Sequence, residues 1–139
     1  MEKLKVYLAG GMNSNWQTKV IEHFGDQFIF YNPIDHNLSR SKEYTVWDLF
    51  YIRKADLVFA YMEQDNPSGY GLTLELGYAK ALEKITILVD ERSKVDKSFA
   101  EKFKMVKDSS AAVYDSFQQG LEFLGSFLRV KKSNTYAFT

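Results

Sequence analysis

Short apolar runs alternate along this chain with longer segments in which apolar residues recur every three or four positions. The runs are bounded by glycine, asparagine, proline or charged residues, as buried strands usually are. They predict five strands, at residues 4–9, 28–31, 57–62, 85–89 and 111–114. The fourth run is rich in β-branched residues, which suits the centre of a parallel sheet.

The segments between these runs have the spacing of helices. Asn13, Ser14 and Asn15 offer capping side chains to a first helix that reaches residue 24. Further helices are expected at residues 44–55, 72–83, 94–107 and 117–130. Strand and helix therefore alternate five times, which predicts right-handed crossovers and helices on both faces of a parallel sheet.

This alternation defines the expected fold class as α/β. We expect one domain over residues 1–130, with three α/β/α layers and a five-stranded, mainly parallel sheet of flavodoxin-like or Rossmann-like type. A polar-aromatic tail follows at residues 131–139. Ligands of such sheets bind beyond the carboxyl ends of the strands. The expected walls of a binding site are therefore the loops at residues 10–15, 32–42 and 65–71.

Composition and charge narrow the class of partner. The 139 residues are 45% hydrophobic, which is enough for one packed core, and the chain is too short for two. Eighteen basic and eighteen acidic residues give a net charge of +0, so no basic excess attracts nucleic acid or an anionic membrane. No apolar run approaches the length of a membrane span, and the N-terminus lacks a signal peptide's apolar region. We expect a cytoplasmic protein with a small-molecule partner.

The absence of cysteine excludes disulfides, thiolate nucleophiles and cysteine-ligated metals. His23 and His36 are the two histidines of the chain, and they do not have a metal-binding spacing such as HExxH. The sequence therefore predicts no metal site.

Glu75 is the first candidate for chemistry. It lies about one turn into the helix that follows the 65–71 loop, among apolar neighbours. A carboxylate is costly in such surroundings unless it has a function, although the helix N-terminus offsets part of the cost. Gly71 and Gly77 leave room for a substrate beside it. The alternative is a solvent-facing glutamate on an ordinary helix, and the pattern alone does not choose between them.

Asp48 is a second carboxylate with aromatic and aliphatic neighbours, on the preceding helix. It is either a functional group or an exposed residue paired with Arg53 or Lys54. Asp56 has a structural interpretation, because Ala-Asp before an apolar strand commonly closes a helix-to-strand turn. If Asp48 and Glu75 meet at the carboxyl edge of the sheet, they supply a nucleophile and a general acid–base for cleaving an acetal-like bond.

Several segments, in the same order, resemble the nucleoside 2-deoxyribosyltransferases and the related 2′-deoxynucleoside 5′-monophosphate N-hydrolases. Residues 6–11 (VYLAGG) are similar to the first strand and substrate loop of this family. Asp48, eight residues before Asp56, resembles its catalytic aspartate in spacing. Residues 71–79 (GLTLELGYA) resemble its G-x-x-x-E-x-G-x-A signature, in which the glutamate is the nucleophile. The resemblance covers about residues 4–125.

The resemblance implies an enzyme in which Glu75 attacks the anomeric carbon and forms a glycosyl ester. Asp48 then protonates the departing base and later deprotonates the acceptor. Tyr7 is expected beside Glu75, either orienting it or simply packed. This chemistry uses no cofactor. The implied partners are a 2′-deoxynucleoside or 2′-deoxynucleotide and a free nucleobase. Family members form dimers or larger rings, so a homo-oligomer is also implied, in which the tail either serves another subunit or is disordered.

The sequence leaves the acceptor open, with transfer to another base slightly favoured over transfer to water. Ser68 resembles a phosphate-binding serine of the hydrolases, although this loop is one residue longer. Gly10, Gly11, Asn13 and Ser14 are suited to cradle an anion, but the arginine of the hydrolases' first loop is missing.

Other candidate substrate ligands lie in the same loops. Asp65 and Asn66 are suited to bind sugar hydroxyls, and Gly69 and Gly71 are expected beside the substrate. The aromatic residues that offer a face to a base are Trp16, Trp47 and Tyr70. For Trp47, core packing is an equally good explanation.

A function of a different class stays open. The same fold serves non-catalytic nucleotide-binding or sensing modules, since fold alone does not establish turnover. Such a module would keep its function without Glu75. A receiver-type signalling domain is disfavoured because the chain has no acidic cluster after the first strand.

Overall fold

The structure is a computed structural model that describes residues 2–65 and 69–129. Its strands are β1 Lys5–Gly10, β2 Ile29–Tyr31, β3 Leu57–Met62, β4 Ile85–Asp90 and β5 Ala112–Tyr114. They form one sheet in the order β2-β1-β3-β4-β5, and all four neighbouring pairs are parallel. The predicted α/β class is confirmed, and the sheet, expected to be mainly parallel, is parallel throughout its described strands.

Six α-helices accompany the sheet within the described ranges. They are α1 Trp16–Phe24, α2 Ser41–Lys54, α3 Tyr70–Ala81, α4 Lys97–Lys102, α5 Lys104–Ser109 and α6 Phe117–Ser126. A short 3₁₀ helix, Pro33–His36, follows β2. No helix of the described part of the chain is long and apolar enough to cross a membrane.

The core consists of two clusters, one on each face of the sheet. Successive side chains of a strand point to opposite faces, so β1 contributes to both clusters. Val6 and Leu8 pack with α1 and α6, whereas Tyr7 and Ala9 pack with α2 and α3. The chain crosses from one side of β1 to the other between β2 and β3, which makes the β1–β3 boundary the topological switch point.

The helix expected over residues 94–107 is wrong in its extent, because the structure contains two shorter helices there. The Asp96 carboxylate accepts the N–H of Phe99 at 3.0 Å and binds Arg92 at 2.9 Å, so α4 begins only at Lys97. Phe103, between α4 and α5, is buried with its ring against Phe99. Burial of this ring turns the chain toward the core and separates the two helices.

Other helix ends also differ from the expected ones: α2 begins at Ser41 instead of residue 44, and α6 ends at Ser126 instead of residue 130. Asn15 precedes α1 with φ 63°, and its side chain accepts the Thr18 hydroxyl and caps no backbone N–H. Tyr70, two residues before the expected start, begins α3 because Gly69 in the left-handed region turns the chain there (φ 112°).

Candidate active site

A pocket of about 760 Å³ opens at the carboxyl edge of the sheet, beside the switch point between β1 and β3. Its walls are the loop after β1, the loop after β2, one side of α2 and the beginning of α3. Asp48 and Glu75 both line it, as do Gly10, Gly11, Asn13, Gly69 and Gly71. The structure thus brings together seven of the residues singled out in the sequence.

Tyr7 and Glu75 form the central contact of the site. Tyr7 is fully buried in β1, and its hydroxyl donates a hydrogen bond of 2.7 Å to Oε2 of Glu75. Burial, reinforced by the carboxylates of Glu75 and Asp48, raises the pKa of Tyr7 well above its usual value. Tyr7 therefore stays protonated and fixes one oxygen of Glu75. Oε1 is the carboxylate oxygen that this contact leaves available.

The surroundings of Glu75 oppose its ionisation. Burial raises its pKa to about 8, and the charge of Asp48 adds to the rise, while the hydrogen bond from Tyr7 acts in the opposite direction. A helix N-terminus lies nearby, since Glu75 belongs to the second turn of α3. The surroundings therefore favour protonated Glu75 when the pocket is empty, with Tyr7 ready to stabilise its anion.

Asp48 faces Glu75 from α2, and His36 has the only basic side chain within salt-bridge distance of it among the described residues. The Nε2 atom of His36 lies 3.6 Å from Oδ1 of Asp48, an oxygen that is buried and has no hydrogen-bond partner in the described ranges. Burial raises the pKa of Asp48, and the charge of His36 lowers it. The alternative interpretation, an exposed aspartate paired with Arg53 or Lys54, finds no such contact there.

His36 is a site residue that the sequence interpretation did not select. Its Nδ1 accepts the backbone N–H of Leu38 at 2.8 Å, so the neutral ring carries its proton on Nε2, toward Asp48. The rings of Trp47, at 4.9 Å and nearly perpendicular, and of Tyr44, which is parallel, hold the imidazole in place. The feature of the sequence that could have identified His36 was its position in the 32–42 loop, which was expected at the carboxyl edge of the sheet.

The two carboxyl groups titrate as a pair. Both have raised pKa values, and each changes the ionisation of the other. When two acids interact in this way, they hold one proton between them over a broad pH range. One ionised carboxylate beside one protonated carboxyl group is the arrangement that retaining cleavage of a glycosidic bond requires.

Other candidates from the same loops lie beside this pocket. Ser14 and Asp65 line a smaller neighbouring pocket of about 340 Å³, which shares Gly11 and Asn13 with the first. Asn66 and Ser68 lie outside the described residues, so their expected contacts with sugar or phosphate stay predictions.

The aromatic residues expected to stack on a base do not line the pocket. Trp16 is 2% exposed and packs on Phe59 and Tyr61 in the core. Trp47 packs between His36 and Tyr51, and Tyr70 is 87% exposed outside the pocket. The apolar wall is instead formed by Met12, Ile34, Leu38 and Tyr44.

Asp56 has the structural role expected for it. Its Oδ2 accepts the backbone N–H of Lys5 at 2.8 Å and so ties the α2–β3 turn to the start of β1. Among the residues that the structure describes, no group of histidines and carboxylates is arranged to hold a metal ion. The described lining of the larger pocket also contains no lysine or arginine.

The fold and the paired carboxylates define an α/β protein whose pocket contains the kinds of groups that glycosyl transfer uses. The family model described as nucleoside 2-deoxyribosyltransferase like matches residues 3–93. The chain belongs to that family.

Solved structures share the fold over nearly the whole chain. A 2-deoxyribosyltransferase from Bacillus psychrosaccharolyticus is 21% identical with a TM-score of 0.68, covering 91% of this chain and 97% of that one. A 2-deoxyribosyltransferase from Leishmania mexicana is 19% identical with a TM-score of 0.69, covering 88% of this chain and 97% of that one. A CMP N-glycosidase from Clostridium botulinum is 22% identical with a TM-score of 0.58, covering 88% of this chain and 98% of that one. A comparison with curated proteins found no match.

Proposed function

We propose that this protein cleaves the N-glycosidic bond of a 2′-deoxynucleoside and transfers the deoxyribosyl group to another base through a glycosyl–Glu75 intermediate. The observation that carries the proposal is the 2.7 Å hydrogen bond from buried Tyr7 to Glu75 in the same pocket as Asp48. It gives a carboxylate a fixed oxygen and a free one, next to a second carboxyl group that can hold a proton.

In the first half of the reaction, the proton that the two carboxyl groups share passes from Glu75 to Asp48, and ionised Glu75 attacks the anomeric carbon with Oε1. The bond from this carbon to the base nitrogen breaks as the new ester bond forms, and its electrons pass to the base. Protonated Asp48 gives its proton to the departing base. Tyr7 keeps its own proton, because its pKa is raised far above neutrality, and donates its hydrogen bond to Glu75 throughout.

In the second half, Asp48 takes a proton from the incoming base, whose nitrogen attacks the anomeric carbon. The ester bond to Glu75 breaks, and the carboxylate returns to its starting state. Two displacements at one carbon retain its configuration. His36, with the N–H at Nε2 toward Asp48, stabilises the aspartate whenever the proton of Asp48 is on the base.

The lining of the pocket favours an uncharged nucleoside over a nucleotide. A 5′-phosphate is usually bound by arginine, lysine or a helix N-terminus. No lysine or arginine lines the described part of the pocket, whereas Met12, Ile34, Leu38 and Tyr44 offer an apolar wall for a base. One feature supports the alternative, a hydrolase of 2′-deoxynucleoside 5′-monophosphates: Gly69 and Gly71, at the N-terminus of α3, line the pocket.

Chromatography of reaction products separates these functions. We expect purified protein to form deoxyadenosine from deoxyinosine only when adenine is present. Release of free base and sugar phosphate from dIMP alone would instead establish the hydrolase. Binding of a deoxynucleoside without any product would favour a sensing module.

The variant Glu75→Gln tests the nucleophile. We expect its rate to fall at least about a thousandfold, the scale typical of an essential catalytic group. Glu122→Gln, an exposed change on α6, is the matched control and should keep the wild-type rate. Near-normal turnover by Glu75→Gln would exclude a covalent intermediate on this residue.

A homo-oligomer is part of the proposal. Apolar side chains are exposed along α2 and α3, two helices that pack side by side: Val46 (70%), Phe50 (50%), Tyr70 (87%) and Leu74 (58%). Exposed apolar surface of this kind commonly forms a protein–protein contact. A second copy of the chain is the partner we propose for this surface, which we name the α2–α3 face.

A further inference from the structure

The loop after β1 is held by an unusual pair of hydrogen bonds. The carbonyl oxygen of Gly11 accepts both Nε1 of Trp16 and Nε2 of Gln17, each at 2.9 Å. Both donors belong to the first turn of α1, and both side chains are buried. The carbonyl of Gly11 is therefore directed into the interior of the protein.

Folding alone gives little reason for Gln17 at this position. Its side chain is completely buried, yet Oε1 has no hydrogen-bond partner in the described part of the chain. A buried amide with one unpaired oxygen is unfavourable compared with an apolar side chain of similar shape. The Gln17 amide instead donates the second hydrogen bond to Gly11 and makes a longer contact, of 4.0 Å, with Sδ of Met12.

The neighbouring glycine fixes the loop further. A Cβ atom on Gly10 would lie 2.7 Å from the carbonyl oxygen of Tyr61 and 2.9 Å from the ring of Trp16. The loop is thus packed closely between β3 and the indole, which leaves no room for a side chain at residue 10.

The direction of this carbonyl determines that of the next N–H. In a trans peptide the C=O of one residue and the N–H of the following one point in opposite directions, and the described chain contains no cis peptide. The N–H of Met12 therefore points away from Trp16 and Gln17, and both Gly11 and Met12 line the pocket. None of the hydrogen bonds among the described residues uses this N–H.

We propose that Trp16 and Gln17 are positioning residues that aim the N–H of Met12 at an oxygen atom of the bound substrate. The identity of that substrate as a nucleoside rests on the proposed function. A neutral N–H donor recognises a hydroxyl or carbonyl oxygen, which both the sugar and the base can provide. Because the donor binds the substrate and does not take part in bond breaking, its loss raises KM and leaves kcat nearly unchanged.

Kinetics of Gln17→Leu and Trp16→Phe test the split between KM and kcat. Each variant removes one donor to Gly11 and keeps most of the side-chain volume. If Gln17→Leu does not fold, Trp16→Phe still tests the proposal. We expect KM for the deoxynucleoside to rise about tenfold, the effect of roughly one hydrogen bond, with kcat changed less than about threefold. Thr86→Val is the control, because it removes a buried hydrogen bond to Ala111 at another strand of the sheet. It should lower Tm without changing KM.

An NMR measurement tests the N–H itself without turnover. The chain has four methionines, so the spectrum of Glu75→Gln protein labelled with ¹⁵N-methionine is simple. We expect added deoxyinosine to shift the Met12 amide signal downfield and to leave that of exposed Met105 in place, and we expect Gln17→Leu to reduce the Met12 shift.

The two proposals fail in different ways. If wild-type protein cleaves no deoxynucleoside and binds none, the proposed function is wrong. If wild-type protein is active, but folded Gln17→Leu and Trp16→Phe have wild-type KM and the Met12 signal does not move, the positioning role alone is excluded.

Discussion

Glu75 combines burial with the ionisation that the proposed mechanism requires, two properties that conflict in most carboxylates. Its neighbours are the apolar residues of α3 and the phenol of Tyr7, and burial is the main reason for its raised pKa. Among the described residues, Tyr7 supplies the one hydrogen bond that selectively stabilises the anion. The site therefore keeps a reactive carboxylate at a cost to the stability of the fold, as functional groups often do.

This cost predicts a pH-dependent effect of Glu75→Gln on stability. The pKa of Glu75 is about 8 in the folded protein and has its ordinary value near 4.5 in the unfolded chain. Between these values the folded protein binds more protons, so its free energy of unfolding falls as pH rises from 4.5 to 8. Glutamine does not ionise and still accepts the hydrogen bond from Tyr7. We expect the Tm of the variant to exceed that of the wild type by several degrees at pH 9 and to match it at pH 4.

Thermal unfolding followed by circular dichroism at the two pH values measures this difference. Glu122→Gln, on the exposed side of α6, controls for the loss of a charge. A Tm difference that is the same at both pH values would mean that Glu75 ionises normally in the folded state.

Single residues were predictable from the sequence where their surroundings conflicted with their charge. Glu75 and Asp48 stood out as carboxylates among apolar neighbours, and the structure places both in one pocket. His36 did not stand out, because its role comes from the 3₁₀ helix at Pro33–His36, which has no periodicity to detect. Trp16 was expected beside a base because an exposed and a buried tryptophan look the same in a sequence.

At the scale of elements, strands were easier to predict than helix ends. β3 has its expected bounds, and the other strands differ from expectation by about one residue, because a buried parallel strand is a continuous apolar run. The break between α4 and α5 depends on where the ring of Phe103 finds space in the core. That information is tertiary, and the local pattern does not contain it.

The turn from β1 into the following loop predicts that Gly10 cannot be replaced by another residue without a large loss of stability. Its φ of 153° is disfavoured for other residues, and an added Cβ would collide with the backbone of Tyr61 and the ring of Trp16. We expect Gly10→Ala to lower the free energy of unfolding by about 2–4 kcal/mol, measured by urea denaturation.

Gly77→Ala provides a control of opposite sign. Gly77 lies on the exposed side of α3, and an added Cβ there meets no atom within 4 Å. Alanine should stabilise the helix by about 0.5–1 kcal/mol. A Gly10→Ala protein as stable as the wild type would show that the loop can move away from β3, and it would also weaken the case for a fixed Gly11 carbonyl.

At the scale of the whole molecule, the two faces of the sheet have different tasks. The cluster shared with α1 and α6 is a core of aliphatic and aromatic residues, whereas the cluster shared with α2 and α3 also contains Tyr7 and supports both carboxylates. The outer surface of that second layer is the α2–α3 face. The active site and the proposed contact between copies therefore use the same pair of helices.

If copies of the chain associate through the α2–α3 face, a charged residue introduced into this face should produce a monomer. We expect wild-type protein to sediment as a dimer or larger assembly and Phe50→Glu to sediment as a monomer, because burying an unpaired carboxylate in the contact is unfavourable. Val95→Glu is the matched control, since Val95 is exposed to a similar degree before α4 and away from this face. Unchanged sedimentation of Phe50→Glu would place any contact elsewhere.

The position of Tyr7 in β1 has a consequence for how firmly each carboxyl group is anchored. Tyr7 pairs with Tyr31 on one side and Val58 on the other, so the strand behind Glu75 opens only when the whole sheet opens. Asp48 belongs to a helix with one fully buried residue, Ile52, and such an element undergoes local excursions far more easily. In the proposed mechanism the nucleophile is thus firmly anchored through Tyr7, while Asp48 can follow first a departing base and then an arriving one of different size.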